Sequence, residues 1–353
     1  QEFRLQSKAG EGLWQDRSAW STGLIFNWLE ENDEYVGFSQ LDSDYEAITF
    51  GGYGQLTTAI DQGLDLVTSL RVENRGTDYS DSEGVSDETS DWMYGGRVAL
   101  EAKVQENRRL FVGLSRGFKG GGVNANPNLT ESQRIYEPEH LWNLETGVRQ
   151  NWSEGRGYLS LTLFYMWRRD LQIGTSIQPN PADPTTFTFF TDNAAEGSNY
   201  GAEIELETPL SDTLNFFASV GFLETEYSNF VDAGGNQNLD GREQPHAPTY
   251  TYRTGLKLRM TEKWNTQVSI EGKDAFYFSD SHNQQSDPYE LVNLTVAYQT
   301  EKWTLSFWGR NIFDTDYDTR GYFFGNEPPD FPSKLWTTKG DPAQFGISWE
   351  WLY

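Results

Sequence analysis

Few residues of this chain are arranged for bond-making chemistry. The three histidines, His140, His246 and His282, are scattered and lack the spacing of a metal-ligand set. No GxSxG, HExxH or P-loop pattern occurs. Gly120, Gly121 and Gly122 form a run with no helix after it, so they make no phosphate cradle. Glycine's tolerance of positive φ predicts a strand passing into a loop there. Cysteine is absent, which excludes disulfides and thiolate metal sites. No resident cofactor is expected, and the chain does not read as an enzyme.

What remains is suited to recognition. Segment 315–340 carries Arg320, Tyr322, Phe323, Phe324, Phe331 and Trp336. Aromatic faces beside a guanidinium suit a planar or anionic chelate. The same aromatics would also serve an interfacial girdle or loop packing. Phe118 and Lys119 face the same pair of readings. Segments 31–45 and 76–91 hold eleven Asp or Glu and no Lys or Arg. Such blocks are solvated loops or, since hard cations take carboxylate oxygens, calcium sites. The calcium candidates are Asp42, Asp44, Asp81, Glu83 and Asp87. A formal net charge of −26 excludes a phosphate-binding surface, and with it nucleic acid as a partner.

The elements that position these residues are strands. In the last nine residues Phe345, Ile347, Trp349, Trp351 and Tyr353 share one face, opposite Gly346, Ser348, Glu350 and Leu352. Leu161, Leu163, Leu294 and Val296 belong to similar apolar faces, and Arg97, Glu203, Glu205 and Thr295 to polar ones. A wall with lipid outside and a wet lumen inside needs this pattern. The 13 Trp, 18 Tyr and 22 Phe sit in a chain of low mean hydropathy, as interfacial girdles require. No run of about 18 apolar residues offers a spanning helix.

The expected fold is all-β, a transmembrane antiparallel barrel wall forming one domain, 1–353. About fifteen strands are expected, from 1–7 and 18–30 through to 301–314 and 341–353. The connections alternate short and long. The long ones, 31–45, 76–91, 118–139, 175–196, 227–249, 277–286 and 315–340, would all lie on the extracellular side.

Two blocks carry a family resemblance. LFVGLSRGFKGGGVN (110–124) with YEPEHLWNLETGVR (136–149), and GRNIFDTDYDTRGYFFGNEPP (309–329) with GDPAQFGISWEWLY (340–353), resemble TonB-dependent outer-membrane receptors of the siderophore-receptor type. The opening QEFRLQS and SLRVENRG (69–76) fit as well. The chain ends in Tyr353 where the family commonly ends in Phe.

The resemblance implies a 22-stranded barrel plugged by an N-terminal domain, of which this chain supplies about the last 15 strands. The plug, about seven strands and the TonB-contacting segment would lie outside it. The implied function is energised uptake of a scarce ligand across the bacterial outer membrane, a ferric siderophore first, with Fe3+ carried by the ligand. Cobalamin, haem or an oligosaccharide are the alternatives within the family. The implied partners are the TonB-ExbB-ExbD complex, outer-membrane lipid and lipopolysaccharide. A passive porin-like channel is the reading outside the family.

Overall fold

A computed structural model describes residues 1–36, 40–126, 128–177, 186–231 and 238–351. Fifteen strands join in one antiparallel sheet, each paired to the next in chain order. They are β1 (Glu2–Gln6), β2 (Ser18–Val36), β3 (Gln40–Asp61), β4 (Leu64–Asp81), β5 (Ser86–Gln105) and β6 (Arg108–Lys119). Then come β7 (Glu139–Trp152), β8 (Gly157–Ile177), β9 (Thr188–Pro209), β10 (Leu214–Ser228) and β11 (Tyr250–Arg259). The last four are β12 (Trp264–Lys273), β13 (Tyr289–Gln299), β14 (Trp303–Arg310) and β15 (Gln344–Trp351). Helix among the described residues is limited to single turns, and no helix is long and apolar enough to cross a membrane. Among the described residues β1 and β15 each have one neighbour in this sheet.

The two faces follow the period of two. Phe345, Ile347 and Trp349 are exposed on one face, as are Leu163 and Leu294. The other face is polar and hollowed. One recess of about 600 Å3 is lined by Arg253, Gln267, Asn293, Thr295 and Ser348. Another, of about 760 Å3, is lined by Arg4, Gln55, Arg71 and Arg97. On this lumen face Arg97 donates to Glu145 at 2.8 Å and Lys257 to Glu207 at 3.0 Å. Glu203 and Glu205, which share that face with Glu207, are exposed. Leu352 and Tyr353 lie outside the described residues.

Close packing along the wall uses glycine opposite a ring. Trp308 pairs with Gly346 across β14 and β15. A Cβ at 346 would stand 2.2 Å from the Trp308 ring, so only glycine lets the indole lie flat there. Its Nε1 then donates to Ser348 Oγ at 3.0 Å. The run 120–122 has a related explanation, which corrects the expectation of positive φ. None of the three adopts it. A Cβ on Gly121 would meet the Tyr136 carbonyl oxygen at 2.5 Å, and one on Gly122 the Tyr136 hydroxyl oxygen at 2.6 Å. The glycines are there for close approach.

The acidic segments also depart from expectation. Residues 31–36, 40–45, 76–81 and 86–91 are strand where loops were expected, with a short turn at 82–85. The antiparallel ladder continues through them, with Glu31 opposite Tyr45, Tyr45 opposite Tyr79 and Tyr79 opposite Asp87. Hydrogen bonding to a neighbouring strand satisfies their backbone as well as water would, so high charge does not end the strand. Residues 37–39 lie outside the described residues. In segment 175–196, β8 runs to Ile177 and β9 begins at Thr188, and residues 178–185 lie outside the described residues. A 22-residue strand such as β3 extends about 70 Å at 3.3 Å per residue, far beyond a hydrocarbon core of about 30 Å even when tilted. These hairpins therefore stand above the membrane level.

The outward face of β2–β5 marks that boundary. Phe26, Phe50, Asn74 and Trp92 form one cross-strand row. Two rows higher stand Glu30, Glu46, Asp78 and Glu88, four carboxylates directly opposite one another on four adjacent strands. Like charges directly opposite are destabilising. Replacing Glu46 by Gln should stabilise the hairpins by roughly 0.5 kcal/mol at low ionic strength. The gain, read as a higher melting temperature, should vanish in about 1 M salt. A variant no more stable than the parent at low salt would show that the row is already neutralised.

Candidate functional site

The aromatic segment 315–340 folds into a separate two-stranded hairpin, Asp318–Gly325 paired with Ser333–Lys339. Its register sets Arg320 opposite Thr338, Tyr322 opposite Trp336 and Phe324 opposite Lys334. Arg320, Tyr322, Phe324 and Trp336 therefore share one face. Tyr322 is 53% exposed and Trp336 36%. Trp336 Nε1 donates to the Phe324 carbonyl at 3.2 Å, and the two rings stand 6.4 Å apart. Among the described residues neither the Tyr322 hydroxyl nor the Arg320 guanidinium has a hydrogen-bond partner. The face offers two exposed rings and a free cation.

Phe323 and Gly321 point the other way. Gly321 lies on the ring of buried Phe278, where an added Cβ would sit 2.3 Å away. The Phe323 ring is 5.9 Å from that of His282. Phe323 is thus an anchor of the hairpin, apart from the other three. Phe331 sits at the hairpin tip with φ of 46°. Phe118 and Lys119 are elsewhere, at the end of β6. Phe118 lies against Gly95, with the Arg71 guanidinium 5.9 Å from its ring, and Lys119 is exposed opposite Glu139. The structure brings together Arg320, Tyr322 and Trp336 and leaves Phe323, Phe118 and Lys119 outside that face.

The five calcium candidates do not converge. The period of two puts Asp42 and Asp44 on the outward face and Asp81 and Asp87 on the inward one. Asp81 caps its turn, accepting from the Glu83 and Val85 amides, and Asp87 pairs with Arg134 at 2.9 Å. Among the described residues no three acidic or imidazole groups gather as a metal set. Arg134 belongs to segment 120–138, which bridges inward to β9. There Asn124 exchanges two 2.8 Å hydrogen bonds with the Thr191 backbone, and Asn193 bonds both the amide and the carbonyl of Glu137.

The floor beneath the hairpin is made by residues 238–249 and 274–288. Phe276 is buried, with the His246 ring 5.2 Å from it. Tyr227 packs with Phe230, Leu239, Leu171 and Ile173 in a small apolar core. Its hydroxyl donates to Asp280 Oδ2 at 3.2 Å. Asp280 Oδ1 is buried without a hydrogen-bond partner among the described residues. Burial pushes the Asp280 carboxyl up to about 6, and burial holds His246 and His282 below the usual imidazole range. Sequence reasoning missed Arg242, Asp280 and the two histidines. One signal was available: Arg242 is the only Lys or Arg in 229–249, and 277–286 has none.

Comparison with known proteins agrees with this architecture. Residues 3–312 match the family model described as TonB dependent receptor-like, beta-barrel. The chain belongs to the TonB-dependent receptor family. It is 20% identical over 291 residues to the pesticin receptor of Yersinia pestis, covering 79% of this chain and 41% of that protein. It superposes on the ferric yersiniabactin uptake receptor FyuA of Yersinia pestis with a TM-score of 0.78 at 18% identity, over 99% of this chain and 52% of that one. The ferric-catecholate import receptor Fiu of E. coli K12 gives 0.71 at 12% identity, over 99% and 53%. The chain thus spans about half the length of the solved receptors it matches. Its place is the bacterial outer membrane.

The buried carboxyl gives a pH test. Its folded pKa near 6 lies above the ordinary 3.8, so its contribution to stability is full below about pH 4 and is lost as pH rises through 6. Asp280→Asn should therefore stabilise the outer loops by on the order of 2 kcal/mol at pH 7.5 and by little at pH 4. Hydrogen exchange of 274–288 at the two pH values measures it. The histidines have the opposite sign and cancel in the comparison of variant with parent.

Proposed function

We propose that this chain is the ligand-facing wall of a TonB-dependent importer of a metal chelate, with a ferric siderophore as the substrate class. The observation that carries the reading is the exposed Arg320–Tyr322–Trp336 face, held on the outer side of a TonB-dependent receptor barrel. Flat chelator arms stack on exposed rings, and a guanidinium pairs with the anionic iron complex. The names of the similar proteins, a ferric yersiniabactin uptake receptor and a ferric-catecholate import receptor, support the same class. Fe3+ is cargo here, carried by the chelate. No bond need be made or broken by the protein, so we read it as a transporter and not an enzyme. Energy would come from TonB-ExbB-ExbD acting on a plug within the complete barrel.

For the acidic hairpins we propose divalent-cation bridging to lipopolysaccharide phosphates through the outward carboxylates Asp42 and Asp44. Removing divalent cations should then lower the melting temperature of the receptor in lipopolysaccharide-containing membranes. An unchanged melting temperature removes the cation and leaves solvated hairpins.

Arg320→Ala and Trp336→Ala in the full-length receptor should each weaken chelate binding by more than about 1 kcal/mol while the barrel still assembles. Titration with ferric chelates, beside growth under iron limitation, measures both. Unchanged affinity in the two variants would remove this face as the site. Growth that fails only on cobalamin, haem or a glycan would replace the substrate class.

A further inference from the structure

The recognition hairpin does not rest on the barrel wall alone. Gly321 and Phe323 sit on Phe278 and His282, both in segment 274–288. That segment has internal bonds, such as Phe278 N to the Gln284 carbonyl at 3.1 Å and Ser286 N to the Phe276 carbonyl at 3.0 Å. Laterally, His246 N donates to the Tyr277 carbonyl at 2.9 Å and the Tyr227 hydroxyl to Asp280 at 3.2 Å. The most extensive lateral tie is one side chain from residues 238–249, and among the described residues it alone bonds the backbone of the 279–283 turn that carries His282. The Arg242 guanidinium donates to Asn283 Oδ1 at 2.7 Å, to the Ser279 carbonyl at 2.9 Å and to the His282 carbonyl. It also lies 4.5 Å from the centre of the Tyr277 ring.

Arg242 is itself fixed to the wall. Its carbonyl accepts from Tyr227 N at 2.9 Å, and Gly241 N donates to the Tyr227 carbonyl at 2.8 Å. Tyr227 is 4% exposed, at the end of β10. A continuous set of contacts thus runs from β10 through Arg242 to segment 274–288 and on to the hairpin. A planar fork with five donors can hold three acceptors and a ring face at once, whereas an ammonium cannot.

We propose that Arg242 is the positioning residue of the recognition hairpin: it touches no ligand, but it joins residues 238–249 and 274–288 into a platform that holds the Arg320–Tyr322–Trp336 face in its binding geometry. The inference rests on the function proposed above for that face. Without the pin, segment 274–288 keeps its bonds from Tyr227 and His246 but loses three at Ser279, His282 and Asn283, and the floor under Phe323 loosens there. The face then spends part of its time out of register, and affinity falls by the fraction of receptors that are competent to bind.

Two measurements on the full-length receptor separate this role from general stability and from the functional reading. The first needs no ligand. In Arg242→Ala, amide hydrogen exchange of 318–339 and 274–288 should speed up about tenfold or more, while strands β2–β7 keep parental protection. Unchanged exchange in the hairpin overturns the proposal. The second uses ferric citrate, a ferric tris-catecholate and ferric yersiniabactin as probes. With whichever the parent binds, Arg242→Ala should weaken binding about tenfold, and Arg242→Lys should fail to restore it. Parental affinity in Arg242→Ala, or full recovery with Lys, overturns the proposal. If the parent binds none of the probes, the functional reading fails while the exchange result still decides the positioning role. Should Arg242→Ala not assemble, Asn283→Ala removes one acceptor at the surface. It must also speed hairpin exchange, and unchanged exchange there counts against the pin in the same way.

Discussion

Backbone hydrogen bonding to a lateral neighbour is the constraint on which this structure depends. Inside lipid an unpaired amide or carbonyl has no water to turn to, so each strand must find its partner along its whole length. Pairing in strict chain order is the simplest way to meet that demand, and the fifteen-stranded sheet does so without a crossover. The side chains are then released from holding the wall together. One face can be given to lipid, the other to water and paired charges, as with Arg97 and Glu145. On that inner face Trp308 lies flat on Gly346, where only glycine leaves room for the indole.

Beyond the membrane level the demand relaxes, yet the ladder goes on. Strands β2–β5 continue as paired strands through sequence that is rich in acid. The chain accepts an unfavourable row of four carboxylates there. Aromatic rows below and carboxylate rows above divide the outward face into a lipid-compatible band and a water-compatible band within about four residues of strand. The described residues between β10 and β13 are held instead by scattered backbone bonds and by side chains such as Arg242 and Tyr227.

The wall was legible in the sequence because its signal is repeated. Alternation at Leu161 and Leu163, at Leu294 and Val296, and at Phe345, Ile347 and Trp349 reports the same period, and the short turns between segments set the order. The recognition face was legible in part. Arg320, Tyr322 and Trp336 were picked by residue type, and their shared face depends on a hairpin register that sequence alone did not supply. Phe323 differs from Tyr322 by one position, and that one position reverses its direction. The acidic segments misled because charge was taken as a mark of loop, whereas pairing decides. Arg242 and Asp280 were hidden because their meaning lies in contacts between residues 41 and 53 positions apart. Composition and spacing carry little of that.

The two-faced hairpin has a consequence for how such a receptor can change. Gly321 and Phe323 are tied to the floor, and substitution there disturbs the platform. Arg320, Tyr322 and Trp336 alternate with them and bear no structural duty among the described residues beyond the hairpin itself. Mutations on the outer face are therefore nearly free of folding cost, while those between them are not. Under the function proposed above, a lineage meeting a new chelator can rewrite every second residue of this hairpin and keep its contacts with the floor.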